Sequence, residues 1–111
     1  EKRNKKTNQV LARQINNGLK SIKNKFNIIV AYEPVWSIGT GLVPKSEDLL
    51  KSVSFIKNRF SKKSPKILYG GSVNSNNIAQ LKDINVIDGF LIGGASQSPK
   101  KFIDIIKKTF N

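Results

Sequence analysis

The sequence predicts an α/β fold built on parallel strands. Short apolar runs at 28–32, 66–69 and 86–92 alternate with longer stretches whose apolar residues recur every three or four positions. The first run shows no alternation of apolar and polar residues, as expected of a strand covered on both faces of a parallel sheet. Each run is followed at once by a glycine pair or a solitary carboxylate. Strands that alternate with helices imply parallel pairing through right-handed crossovers.

Each element has its own signal. Residues 7–26 read as a helix because Leu11, Ile15, Leu19, Ile22 and Phe26 fall on one helical face. Gly18 inside it weakens the helix by about 1 kcal/mol relative to Ala. Residues 28–32 form the first strand, and Glu33-Pro34 ends it. Residues 34–44 contain Gly39, Gly41 and two prolines and form a long loop. Ser46 is the expected cap of the second helix, with Glu47 and Asp48 in the first turn, where the helix dipole favours anions. Leu49, Val53, Ile56 and Phe60 make its apolar stripe, and residues 61–65 close it. Lys66 to Tyr69 is the second strand, followed by Gly70-Gly71-Ser72 and a short helix over 75–81. Residues 86–92 form the third strand, ending in Gly93-Gly94. Ser98-Pro99 starts the last helix, whose expected buried face is Phe102, Ile106 and Phe110. The order α-β-α-β-α-β-α suits either a doubly wound open sheet or part of a (β/α)8 barrel.

Composition narrows the function classes. The 111 residues suit one small domain and include no Met, which predicts that Glu1 is not the natural start and that the chain is a fragment. Without Cys there is no disulfide frame and no thiolate metal site. Without His the commonest metal ligand and general acid/base is gone. No apolar run reaches the roughly 18 residues of a membrane span, so a cytoplasmic protein is expected. The net charge is +13, from 20 Lys+Arg against 7 Asp+Glu. That balance raises a non-catalytic nucleic-acid-binding chain as the alternative. Beyond four cations in the first six residues, however, the basic residues are dispersed, and only three are Arg, the better phosphate reader. Lysines on solvated helix faces account for the charge without nucleic acid.

In both architectures chemistry sits at the C-terminal ends of the strands. Glu33 stands there, between Tyr32 and Pro34-Val35-Trp36, and is the only one of three Glu to end an apolar strand. Partial drying at that place is expected to raise its proton affinity and suit it to act as a base. The bland alternative is a structural Glu paired with a Lys. Gly70-Gly71-Ser72 and Gly93-Gly94 allow backbone amides to approach an anion closely. Two successive strands ending in Gly-Gly fit the phosphate site that barrels build after strands seven and eight. Tight turns with no ligand would use the same glycines. Gly39-Thr40-Gly41 is not a dinucleotide motif, because the sixth position is Pro44 and no helix starts there.

Three motifs carry a family resemblance: Ala31-Tyr32-Glu33-Pro34-Val35-Trp36-Ser37-Ile38-Gly39-Thr40-Gly41, Tyr69-Gly70-Gly71-Ser72-Val73, and Asp88-Gly89-Phe90-Leu91-Ile92-Gly93-Gly94-Ala95-Ser96. In this order and spacing they closely resemble the triosephosphate isomerase family, with Ser37 where the family has Ala. The resemblance implies the last three strands of a (β/α)8 TIM barrel, with residues 1–111 a partial domain lacking its N-terminal strands. It implies Glu33 as catalytic base, and Gly39, Ser72, Gly93 and Gly94 as substrate-binding residues around the phosphate. It also implies residues 34–44 as a closing lid latched by Tyr69 and Ser72. Dihydroxyacetone phosphate and glyceraldehyde 3-phosphate would interconvert through an enediol(ate), with no cofactor and no metal. The complete enzyme would be a cytoplasmic homodimer. The family's electrophilic His has no counterpart here, nor do its substrate-binding Lys and Asn. Lys57 stands where the family has an Arg paired to the residue matching Asp88, so a Lys57–Asp88 ion pair is expected. Another phosphate-binding barrel enzyme would share the Gly-Gly loops but not the run from Glu33 to Gly41.

Overall fold

The computed structural model describes residues 4–20, 28–34, 43–60 and 64–110, with side chains from Lys6 onward. The helices are α1 (Asn4–Leu19), α2 (Ser46–Asn58), α3 (Ile78–Lys82) and α4 (Pro99–Thr109). The strands are β1 (Ile29–Tyr32), β2 (Lys66–Tyr69) and β3 (Gly89–Phe90), and a 3-10 turn spans Gly94–Gln97. The strands form one parallel sheet in the order β1-β2-β3. Register pairs Tyr32 with Tyr69 and Tyr69 with Phe90, so every strand ends on the same side. No helix among the described residues is long and apolar enough to cross a membrane.

Two apolar clusters hold the helices to the sheet. Leu11 of α1 and Val53 and Ile56 of α2 pack on Ile67 of β2. Leu49, Tyr69, Val73, Ile78, Leu81, Ile84 and Ile105 form the second cluster, at the end of β2 and under α3 and α4. The α2 stripe is as expected, with Leu49, Val53 and Ile56 buried and Phe60 packed beside them. Burying each such side chain contributes about 1.5–3 kcal/mol, so these two contacts decide where the helices sit.

Several expectations need correction. α1 begins at Asn4, three residues before the expected start, while Ile22 and Phe26 lie outside the described residues. β1 is not covered on both faces: Ile29 is 67% exposed, because only the face bearing Val30 and Tyr32 meets the helices. Ser46 does not cap α2; it is the first helical residue, and Lys45 occupies the cap with no side-chain bond. The Leu49 N–H bonds the Lys45 carbonyl, starting the helix one residue early, and Glu47 and Asp48 fill the first turn as expected. The third short helix starts at Ile78, since asparagine side chains claim the backbone donors before it. The predicted buried face of α4 is wrong. Ile105 is its buried residue, whereas Phe102, Ile106 and Phe110 are 36%, 41% and 83% exposed. Ser98 caps that helix as expected, accepting from the Lys101 N–H.

The third strand, Gly89–Phe90, is shorter than the run 86–92, and it starts late because Asp88 replaces part of the ladder with its side chain. The Asp88 N–H donates to the Ile67 carbonyl at 2.9 Å. In return the Ile67 N–H donates to Asp88 Oδ2 at 2.9 Å. The carboxylate thus stands in for the strand carbonyl that a longer β3 would offer. Lys57 of α2 reaches the same oxygen at 3.2 Å, with the two side chains 28% and 24% exposed. The expected ion pair is therefore present, and it ties α2, β2 and β3 together. Both contacts fall on one oxygen, where an arginine fork would engage two.

Burial alone would raise the Asp88 pKa. The Ile67 N–H, then Lys57 by hydrogen bond and charge, then Lys66 by charge outweigh it, and the carboxyl sits below its ordinary 3.8. A folded pKa below the unfolded one means that the charged form favours the fold. That contribution is complete above the ordinary carboxylate value and disappears as pH falls through the lowered one. Asp88→Ala in the complete protein should cost about 1–3 kcal/mol, because it strands a charged partner and a backbone donor. Urea unfolding at pH 7 measures this, and the difference between variant and parent should shrink below about pH 4. An unchanged midpoint at pH 7 would contradict the role.

Candidate active site

Parallel pairing carries the strand-end residues to one rim. The ladder continues past β2, where the Gly70 N–H donates to the Tyr32 carbonyl at 2.8 Å. That bond places Gly70 directly beside the residue after Tyr32, which is Glu33. A Cβ on Gly70 would lie 2.6 Å from Glu33 Cγ and 3.1 Å from Glu33 Oε1. Any larger residue here would displace the Glu33 side chain, which lies across the Gly70 α-carbon. At Gly89, similarly, Leu68 Cδ2 would lie 2.8 Å from a Cβ, so β2 and β3 close tightly below the rim.

From Gly70 the rim opens into a cavity of about 550 Å³. Gly70, Gly71, Ser72, Gly93, Gly94 and Ala95 line one part of it, and Asn74, Ser75, Asn76 and Lys101 another. Ser72, Gly93 and Gly94, drawn from two different strand ends, are therefore neighbours of one space. Gly70 both carries Glu33 and opens that space, so the carboxylate and the cavity meet at a shared residue.

The two glycine pairs differ in purpose. Among the described residues a Cβ at Gly93 or Gly94 would meet nothing within 4 Å, so none of those neighbours demands glycine there. The 3-10 turn starts at Gly94, and first-turn N–H groups have no partner within their own helix. Among the described residues the Gly94 and Ala95 N–H groups meet no acceptor. The turn is anchored through Gly93, whose carbonyl accepts from the Ser96 N–H at 2.9 Å and from Ser96 Oγ at 2.6 Å. Open amides, a hydroxyl and a cation, with no acidic side chain on the wall, make a cavity suited to an anion.

Ser72 is held by residues the sequence reading did not single out. Asn77 Nδ2 donates to the Ser72 carbonyl at 3.0 Å. Asn77 Oδ1 accepts from the Asn74 N–H at 2.9 Å. Asn74 Oδ1 accepts from the N–H groups of Asn76 and Asn77 at 2.8 and 3.0 Å. This reciprocal pair fixes the loop after Gly70-Gly71, and the asparagines crowded at 74–77 were its signal. Lys101 was likewise passed over, and it lines the cavity from the first turn of α4.

One expected feature differs. Glu33 is exposed rather than partly dried, because the neighbour it lies on is a glycine with no side chain to cover it. Tyr69 is fully buried in the second cluster, with its aromatic ring part of the core. Gly39 and residues 35–42 of the expected lid, 34–44, lie outside the described residues. Among the described residues no group of three or more His, Cys, Asp or Glu could hold a metal ion.

A parallel sheet flanked by helices, with its candidate site at the C-terminal strand ends, defines an α/β protein and is consistent with part of an α/β barrel. A family model described as triosephosphate isomerase matches residues 1–109, and the chain belongs to that family. It is 42% identical over 113 residues to triosephosphate isomerase from Thermodesulfovibrio yellowstonii, covering 96% of this chain and 46% of the relative. To triosephosphate isomerase from Saccharomyces cerevisiae it is 45% identical, covering 96% of this chain and 45% of the relative. For the Candida albicans protein of that name the values are 45%, 91% and 43%. The chain thus spans a little under half the length of the curated relatives it matches.

Gly70→Ala tests the contact at the rim. The added methyl cannot coexist with the present Glu33 Cγ position, so any turnover that uses this carboxylate should fall by roughly 100-fold, the usual cost of about 1 Å of misplacement. Assay of the complete protein measures it. Wild-type turnover in Gly70→Ala would show that the carboxylate does not need this position.

Proposed function

We propose that this chain is the C-terminal part of a triosephosphate isomerase, supplying its catalytic base and much of its phosphate grip. The observation that carries this reading is the meeting of Glu33 with the cavity of Ser72, Gly93 and Gly94 at Gly70. The names of the relatives support the substrate class, and their greater length supports a larger working protein.

In this reading the phosphate of a triose phosphate lies in the cavity, accepting hydrogen bonds from the Gly94 amide and the Ser72 region. The Gly39 amide closes over it from the lid. Backbone amides suit this task, because they hold a dianion without offering an acidic proton at the wrong place. The carbon chain then extends toward Glu33. The carboxylate takes a proton from the carbon beside the carbonyl, leaving an enediol(ate), and returns it to the neighbouring carbon. The carbonyl oxygen and hydroxyl exchange roles with no net gain or loss of atoms or electrons. The lid keeps water out while the intermediate exists, since an exposed enediolate phosphate would expel its phosphate.

The remaining part of the machinery comes from beyond these residues. An electrophile for the carbonyl is needed, and the chain contains no His to provide it. The outer edge of β3, which pairs with no strand among the described residues, and the exposed Phe102, Ile103, Ile106 and Phe110 form the seam onto which the rest of the barrel closes. By the same family reading the complete enzyme is a cytoplasmic homodimer that serves glycolysis and gluconeogenesis.

The test is interconversion of dihydroxyacetone phosphate and glyceraldehyde 3-phosphate by the complete protein in a coupled assay. Turnover is expected, and Glu33→Asp should lower kcat by at least about 100-fold, because shortening the side chain withdraws the base from the carbon. The isolated 111-residue chain should show none. An inactive complete protein, or an undiminished Glu33→Asp variant, would overturn the proposal.

A further inference from the structure

We infer that Lys101 is a phosphate-positioning residue of this cavity, setting affinity for the anionic substrate without taking part in proton transfer. The inference rests on the phosphate reading of the cavity and adds a side chain to it. Among the described residues Lys101 is the sole charged residue on the cavity wall, alongside Ser72, Gly94 and Ala95. It forms no ion pair among the described residues. The nearest acid along its helix, Asp104, is already held by Lys108 at 3.6 Å.

Its place in α4 is unfavourable for the helix itself. The first turn of α4 contains no acid and begins Pro99-Lys100-Lys101. The positive end of a helix dipole repels cations, and most helices put Asp or Glu there. The same arrangement is favourable for an anion in the cavity, because the lysine charge adds to the Gly94 and Ala95 amides, which have no acceptor among the described residues. A half-open site keeps the interaction modest and sensitive to salt, since ions screen charges beyond about 10 Å at 0.1 M. It would act on ground state and transition state alike, which changes KM and leaves kcat in place.

The experiment compares Lys101→Gln and Lys101→Arg with the parent in the complete protein, at low and high salt. For Lys101→Gln, KM for glyceraldehyde 3-phosphate and the inhibition constant of inorganic phosphate should both rise about 2- to 5-fold at low salt, as expected for one partly screened charge. The difference should shrink in about 0.5 M salt. Lys101→Arg should restore the parent values. The melting temperature of Lys101→Gln should hold or rise, because a cation leaves the positive end of α4. An unchanged KM at low salt would overturn the inference. So would a lower melting temperature accompanied by a loss of kcat that Lys101→Arg does not recover, the mark of a purely structural lysine. Should the complete protein lack isomerase turnover, calorimetric titration with inorganic phosphate separates the two ideas. Weaker phosphate binding in Lys101→Gln would sustain the role of Lys101 while the isomerase reading fails. Equal binding, or none in the parent, would end both.

Discussion

Parallel pairing of Tyr32 with Tyr69, and of Tyr69 with Phe90, is the constraint on which the site depends. Had any strand run the other way, its terminal residue would lie at the opposite end of the sheet. Because all three run together, Glu33, Gly70 and the turn after β3 reach one rim. The last ladder bond, from the Gly70 N–H to the Tyr32 carbonyl, then fixes their spacing. Glycine at 70 follows from that bond, since the side chain of Glu33 occupies the space a Cβ would need.

The sheet keeps its parallel order through contacts far from the rim. Leu11, Val53 and Ile56 press on Ile67 from the helix side, and Asp88 binds both Ile67 and Lys57 at the start of β3. These contacts set where β3 begins, and hence where Gly93-Gly94 emerges. The rim glycines then divide the labour. Gly70 is packed against a carboxylate, while Gly93 and Gly94 face open space. In the proposed function, one arrangement positions the reacting group, and the other leaves amides uncovered for an anion.

Much of this was legible in the residues. The α2 stripe Leu49-Val53-Ile56 has helical period and a buried partner, so periodicity and structure agree. Ser72, Gly93 and Gly94 were placed at strand ends by composition alone, and the fold brings them to one cavity. Other features failed for physical reasons. Phe102, Ile106 and Phe110 have the period of a buried face, but period only says that they share a side, and Ile105 points at the described core instead. The β3 boundary was invisible because a side chain, Asp88, does the work of a backbone carbonyl. The Asn74–Asn77 pair escaped notice because asparagines read as generic turn residues until their mutual bonds are seen. Glu33 was expected to be drier than it is, since its sequence neighbours are apolar but its spatial neighbour is a glycine.

The central claim is that one small phosphate ester can touch the amide cradle and the carboxylate at once. A crystal structure of the complete protein with a non-reactive two-carbon phosphate tests it most directly. The account predicts phosphate oxygens at hydrogen-bonding distance, about 2.7–3.2 Å, from the Gly94 amide, with the carbon end of the ligand against the Glu33 carboxylate. A phosphate bound elsewhere, or a ligand seated in the cavity with Glu33 turned away from its carbons, would contradict it.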